Sequence, residues 1–409
     1  AGALQQDSLA AGQDGRLPTA FSESAAAVLC VELEHVGLPI DRLVMSELIT
    51  ASAGPRPESL EAELAHRAGR DAQVRSLVPG REETDLRNPA QVRDLLLAAG
   101  IDVPNTRKWT LEAFRDAHPV VPALLAWRSD ERIATTYGWR WLDAHVGADD
   151  RLRGRWSACD GAAGRMTAEN GLHNLPAALR PGVSAAPGHR FVRADLGQIE
   201  PRVLAAVSGD EAFMAATRAD DLYAPVAARL GVERAVAKVA VLAAMYGQRS
   251  GTAGEALAGL RRAYPLAMRL LEDAAERGGR GETVTTFGGR AVHTAPVGER
   301  GQPSAPPVAA ARGRFARNAI IQGSAAELFK AWAATIRATT ADLGAEIVLC
   351  LHDEVLVHVP ASTADECAGR VDQALRDAAR RWLAPLGREQ SVRFVADVSV
   401  IGRWSEAKA

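Results

Sequence analysis

The stretch IVLCLHDEVLVHVP, residues 347–360, sets two apolar, β-branched runs on either side of His352-Asp353-Glu354. Ile347 to Leu351 and Val355 to Val359 have strand composition, and the polar trio between them falls where a β-hairpin would turn. Apolar residues crowd both arms, so burial of at least one face is expected. Two acids and a histidine at the tip of a buried hairpin cost desolvation unless a partner offsets it, and a metal ion or a phosphate would do so. A solvated turn is the other reading of the same segment.

Upstream, Phe191 to Ala194 read as a short strand ending on Asp195, ahead of a helix from about Ile199 to Val207. A side chain at a strand's end can project past the sheet while its backbone stays rigid, which suits a metal ligand. An aspartate that merely forms a turn is the commonplace alternative. Between the two acids lies RAVAKVAVLAAMYG, residues 234–247, a helix by its alanine content and spacing. Residues four apart drift only about 40° around a helix axis, so Arg234, Lys238, Leu242 and Tyr246 form one slowly winding stripe. Two cations, an apolar platform and an aromatic hydroxyl suit a triphosphate, a base and a sugar in turn. A solvated cationic face is the alternative, although the opposite face is almost wholly Ala and Val. An acid, a cationic helix and a second acid at a hairpin tip make the layout of a nucleotidyl-transfer site.

The chain has 409 residues, room for two or three subdomains and a sizeable core. Its 47% hydrophobic and 24% charged content is that of a soluble globular protein. No run approaches the roughly 18 apolar residues of a membrane span, and no signal peptide opens the chain. The start at Ala1, without methionine, leads to the expectation of a fragment that has lost an upstream domain. Cys30, Cys159, Cys350 and Cys367 form no CxxC pair, so free thiols in a reducing cytoplasm are expected. A net charge of −2 does not exclude nucleic acid, because local basic stripes contact phosphates.

Residues 1 to about 20 read as a flexible lead-in. The first third is otherwise helical, with a break at Gly37 and Pro39. In NPAQVRDLLLAAG, residues 88–100, Asn88 is the expected N-cap, Pro89 the first helical residue and Gly100 the stop. Helices are expected over about 211–264, 314–343 and 363–383, a Gly-rich turn region at 278–290, a Pro/Gly/Ala-rich loop at 296–313 and a closing strand in VRFVADVSV, residues 392–400.

Taken in order, these segments resemble family A DNA polymerases, the class of bacterial DNA polymerase I. RADLGQIEPRVLAAVSGD matches the family's first acidic motif at Asp195, Gln198, Ile199, Glu200 and Arg202. The helix at 234–247 matches its nucleotide-binding helix at Arg234, Lys238, Tyr246 and Gly247, and LHDEVLVHVP matches its second acidic motif. Supporting matches are GRM at Arg165, HNLP at Asn174, and RFARNAIIQGSAAELFK with Arg314, Asn318 and Gln322. The resemblance spans about residue 25 to the C-terminus.

It implies an α+β right-hand fold with helical thumb, antiparallel-sheet palm and helical fingers. The expected divisions are a lead-in at 1–20, thumb with the start of the palm at 21–150, palm at 151–210, fingers at 211–312 and palm again at 313–409. Asp195 and Asp353 would hold two Mg²⁺ ions, with Mn²⁺ as a substitute. One lowers the pKa of a primer 3′-hydroxyl, and the other neutralises the triphosphate. Arg234 and Lys238 would grip phosphates, with Lys238 as general acid. Gln198, Tyr223 and Leu242 would complete the dNTP site, and Glu200 and Tyr246 would exclude a 2′-hydroxyl. Arg165, Asn174, Arg314, Asn318, Gln322 and His352 would touch primer–template DNA, and Glu354 would be a supporting acid. The resemblance further implies a monomer without membrane attachment, in the cytoplasm at the nucleoid.

Four departures matter. Leu242 stands where the family has Phe or Tyr, losing stacking worth on the order of 1–3 kcal/mol. Leu196-Gly197 replaces a Tyr-Ser pair, Tyr223 replaces a phosphate-contacting His, and the path from Gly247 to Tyr264 is short. A slower, less processive enzyme is expected, with an open template path, suited to repair or damaged DNA and without its own proofreading. The alternative is a catalytically impaired, polymerase-like DNA-binding protein. RNA synthesis is disfavoured by Glu200 and Tyr246.

Overall fold

The apolar arms of the 347–360 stretch pair as a hairpin that is buried along almost its whole length. In the computed structural model, which describes residues 16–247, 253–300 and 305–407, this hairpin forms half of a four-stranded sheet. Its strands are β1 (His189–Leu196), β2 (Glu346–Leu351), β3 (Glu354–Pro360) and β4 (Ala396–Ile401), in the order β4-β1-β3-β2. Every neighbouring pair is antiparallel. Valine and leucine suit both strands of this hairpin because the β-branched and apolar side chains find neighbours on both faces.

The chain divides into two compact units, the second being Pro39–Leu152 with Asn174–Ser184 and the first the remainder. The first unit holds the sheet and, among others, five helices. They are α1 (Arg16–Val36), α2 (Ile199–Ser208), α3 (Arg234–Tyr246), α4 (Pro306–Thr340) and α5 (Ala364–Leu383). Leu328, Trp332 and Ile336 of α4 are fully buried, and the Trp332 indole donates to the Val371 carbonyl of α5 at 3.1 Å.

Two expectations need correction. The lead-in lies outside the described residues only as far as residue 15, and helix begins at Arg16. That helix is anchored by buried Ala26, Leu29 and Leu33 and by Glu23, which accepts from Lys330 at 2.7 and 2.8 Å. The second correction concerns the Pro/Gly/Ala-rich stretch before Arg314, which is helical from Pro306. Prolines in a first helical turn lose no hydrogen bond. The glycines serve a helix crossing: a Cβ on Gly313 would stand 2.7 Å from the Ala275 carbonyl, and one on Gly278 would stand 2.9 Å from the Arg312 carbonyl. Composition read as loop is here close approach of two helices. The 278–290 region does turn, through two short antiparallel strands at Val284–Thr285 and Ala291–Val292.

The second unit is helical around Val92, Leu95, Leu96, Val120, Val121 and Leu124. Asn88 caps Pro89–Ala98 as expected, its Oδ1 accepting from Ala90 N–H at 3.0 Å, and Gly100 follows at φ 80°. Beside this core, Asp71 accepts from Arg87 at 2.7 and 3.1 Å and from the Trp127 indole at 2.9 Å. Glu131 accepts from Arg87 and Arg70 and pairs with Arg67. Among the described residues no helix is long and apolar enough to cross a membrane.

Candidate active site

Strand register brings the two acidic motifs together. Asp195 on β1 stands opposite Glu354 on β3, and the Leu196 N–H donates to the Asp353 carbonyl at 2.9 Å. On its other side Asp195 stands opposite Asp397 of β4. Leu351 pairs with Glu354, so His352 and Asp353 are a two-residue hairpin loop. His352 takes φ 53°, the positive value such loops require at their first position. A non-glycine residue there is uncommon, and its ring packs edge to face with that of His173, the centroids 4.5 Å apart. Asp353 is thereby held at the sheet's end.

Arg193 lies two residues before Asp195 and so on the same face of β1. Its guanidinium donates to Asp195 Oδ2 at 2.8 Å, Glu354 Oε1 at 2.8 Å and Asp397 Oδ2 at 3.1 Å. Glu354 also accepts from the Trp404 indole at 3.0 Å, so this supporting acid is spoken for. One cation shared among three acids does not neutralise Asp195. Burial first, then repulsion from Asp353, pushes its carboxyl up to about 6, with Arg193 opposing. Burial likewise raises Asp353.

A cavity of about 240 Å³ opens beside Asp353, lined by Arg165, Gln198, Glu200, Tyr223, Leu242, Tyr246, Gln322 and His352 among others. Glu200 forms its polar floor, accepting from Arg165 Nη2 at 2.7 Å and from Tyr246 Oη at 3.3 Å. Burial raises the Glu200 carboxyl while Arg165 and Tyr246 pull against it. The helix α3 ends at Gly247 in the left-handed conformation, at φ 71°. Its stripe is as expected: Arg234 and Lys238 are exposed, Leu242 half-buried in the cavity wall, Tyr246 at the Glu200 floor. Arg234 lies over the buried Tyr223 ring, 5.9 Å from its centroid, and pairs with Asp221.

Gln198 departs from a simple ligand role. Its amide oxygen accepts from Leu222 N–H at 3.0 Å and from Arg202 at 3.2 Å, leaving only its amino group for a ligand. Arg314, Asn318 and Gln322 share one face of α4 at four-residue steps. Gln322 reaches the cavity, while Arg314 lines a separate cleft with Gly247 and Arg317. Asn174 belongs to the second unit, where its carbonyl accepts from Tyr137 Oη and Arg132. Arg193, Asp397, Trp404 and Asp221 escaped the sequence reading. Strand alternation alone could have flagged Arg193. Nothing local marks the other three.

Residues 57–406 match the model of DNA polymerase family A. DNA polymerase I of Chloroflexus aurantiacus is 31% identical over 307 residues, 68% of this chain and 32% of that protein. The thermostable DNA polymerase I of Thermus filiformis is 29% identical, covering 74% of this chain and 38% of its own. DNA polymerase I of Deinococcus radiodurans is 26% identical, covering 84% and 38%. The chain thus spans about a third of the length of these relatives. The POL domain of Pol1 from M. smegmatis, solved in complex with DNA primer-template and dNTP, superposes with a TM-score of 0.75 at 22% identity, over 94% of this chain and 70% of that one. Because that family model matches most of its residues, the chain belongs to DNA polymerase family A, and its α+β architecture is the polymerase fold.

Proposed function

We propose that this chain is the catalytic part of a template-directed DNA polymerase, adding dNTPs to a primer 3′-hydroxyl. The observation that carries the reading is the meeting of Asp195 and Asp353 at one end of the sheet, beside the cavity floored by Glu200. The divisions are thumb with the start of the palm at 21–150, palm at 151–210 and 313–409, and fingers at 211–312.

The donor set fits a hard divalent cation: two partly buried carboxylates whose charges burial disfavours, with repulsion from Asp353 adding to it at Asp195. Among the described residues no third His, Cys, Asp or Glu completes a protein-only cage, which suits ions that keep waters and substrate oxygens. Asp195 and Asp353 would hold Mg²⁺, with Mn²⁺ as substitute. When bound, the ions supply a lowered pKa for the 3′-hydroxyl and charge neutralisation for the triphosphate. Arg193 fixes Asp195 through Oδ2 and leaves Oδ1 available. Arg234 and Lys238 bind phosphates, and Lys238 protonates the leaving pyrophosphate. Glu200, gripped by Arg165 and Tyr246, fills the space a 2′-hydroxyl would need and so selects deoxynucleotides.

Primer–template DNA and dNTPs are the partners that accompany the M. smegmatis domain, and Arg165, Asn174, Arg314, Asn318, Gln322 and His352 are the proposed duplex contacts. Leu242 offers no aromatic face to the incoming base. We read the enzyme as monomeric, cytoplasmic, of low processivity and suited to repair synthesis. Mg²⁺-dependent incorporation on a primed template tests the reading. Asp353→Ala should lower it by at least about 10²-fold, the scale set by loss of an electrostatic catalytic group. Undiminished incorporation by that variant would overturn it. Template binding by the unaltered chain with no incorporation would point instead to an impaired, DNA-binding relative.

A further inference from the structure

We infer that Asp221 is a positioning residue for the phosphate-binding guanidinium of Arg234, and that buried Arg202 sets Asp221 in place. The inference rests on the reading of Arg234 above. Asp221 bonds Arg234 through Nε alone. Among the described residues nothing occupies the Nη1–Nη2 edge, the edge that can take two oxygens of a phosphate at once. The Tyr223 ring supports the guanidinium from one side. The cation is therefore oriented, with its bidentate edge left open.

Asp221 is itself held. Its Oδ1 accepts from the Tyr223 N–H at 3.2 Å, turning Oδ2 toward Arg234. The loop before it is pinned by Arg202, which is completely buried. Arg202 donates to the carbonyls of Gly197 at 3.0 Å, Thr217 at 2.6 Å, Ala219 at 2.9 Å, Asp220 at 2.7 Å and Arg393 at 2.5 Å. It also donates to the Gln198 amide oxygen, which accepts from Leu222 N–H as well. A guanidinium buried on backbone carbonyls, with no carboxylate at hydrogen-bond distance among the described residues, fixes chain geometry through its five donors. Here the fixed pieces are the end of β1, just past Asp195, and the loop 217–222. The same post thus ties the carboxylate strand to the counter-ion of Arg234.

Fold stability does not account for Asp221. Arg234 is exposed and Asp221 half-buried, and a pair so open to solvent adds little to stability. An acid beside a phosphate site also weakens the attraction of the site for phosphate. What it contributes is orientation.

Single-nucleotide incorporation by the intact chain tests this. Asp221→Asn should raise KM for dNTP about 10-fold, the effect of disordering one charge-assisted contact, with kcat within about 2-fold and Tm unchanged. In an Arg234→Ala background the same change should have no further effect, which a general structural role would not produce. Asp221→Glu, keeping the charge, should recover part of the loss. Unchanged or lowered KM in Asp221→Asn, or an equal rise in the Arg234→Ala background, overturns the inference. Asp353→Ala in the same assay separates the two questions: its loss of incorporation upholds the underlying reading whatever Asp221→Asn does.

Discussion

Two acidic clusters in this protein both carry a desolvation cost and resolve it in opposite ways. In the second unit Asp71 and Glu131 are surrounded by Arg67, Arg70, Arg75 and Arg87, with the Trp127 indole as a further donor. Burial works to raise the Asp71 carboxyl, but the bonds from Arg87 and Trp127 outweigh it and hold the group below its ordinary value. At the sheet's end a single arginine serves three acids, and Asp195 rises to about 6. The first cluster is satisfied by its own fold. The second is left short of positive charge, the pattern that fits the proposed uptake of a cation there.

Substitution should separate them. Removing a carboxylate at the sheet's end, as in Asp195→Ala, should abolish incorporation by at least about 10²-fold while Tm holds or rises, since a repulsion is relieved. A large fall in Tm would put Asp195 among the structural acids. Asp71→Ala should do the reverse, costing about 3 kcal/mol in urea denaturation because Arg87 and Trp127 lose their acceptor. An unchanged denaturation midpoint would break the contrast.

Within the site, Leu242→Phe should restore a stacking surface and lower KM for dNTP about 5-fold or more. No change in single-nucleotide kinetics would mean the base lies elsewhere. The smallest effect is in pH. The folded Asp71 value lies below the unfolded one, so its contribution is complete above the unfolded pKa of 3.8 and is lost as pH falls through the folded value. Melting temperatures of the parent and Asp71→Asn should accordingly converge in strong acid and stay apart from pH 5 to 7. A constant gap would exclude Asp71 as the titrating group.

Much of this was legible in the chain. The hairpin, the helix at Arg234–Tyr246 and the cap at Asn88 follow from local rules of spacing and backbone chemistry, and all three formed where expected. The stretch before Arg314 did not, because glycine signals permissive backbone whether it turns a loop or lets two helices touch. Part of the short path between Gly247 and Tyr264 falls outside the described residues, with a helix at Ala253–Ala263 beyond it.

The order of the motifs and their residue types determined the family and nominated the two aspartates, since those features are written in consecutive residues. Which acids would be neutralised was decided only in three dimensions. Arg193 reaches Glu354 across 161 positions of sequence and Asp397 across 204, and Arg202 reaches the Arg393 carbonyl across 191. Charge compensation depends on separation in space and on local burial, and neither is a property of neighbours along the chain.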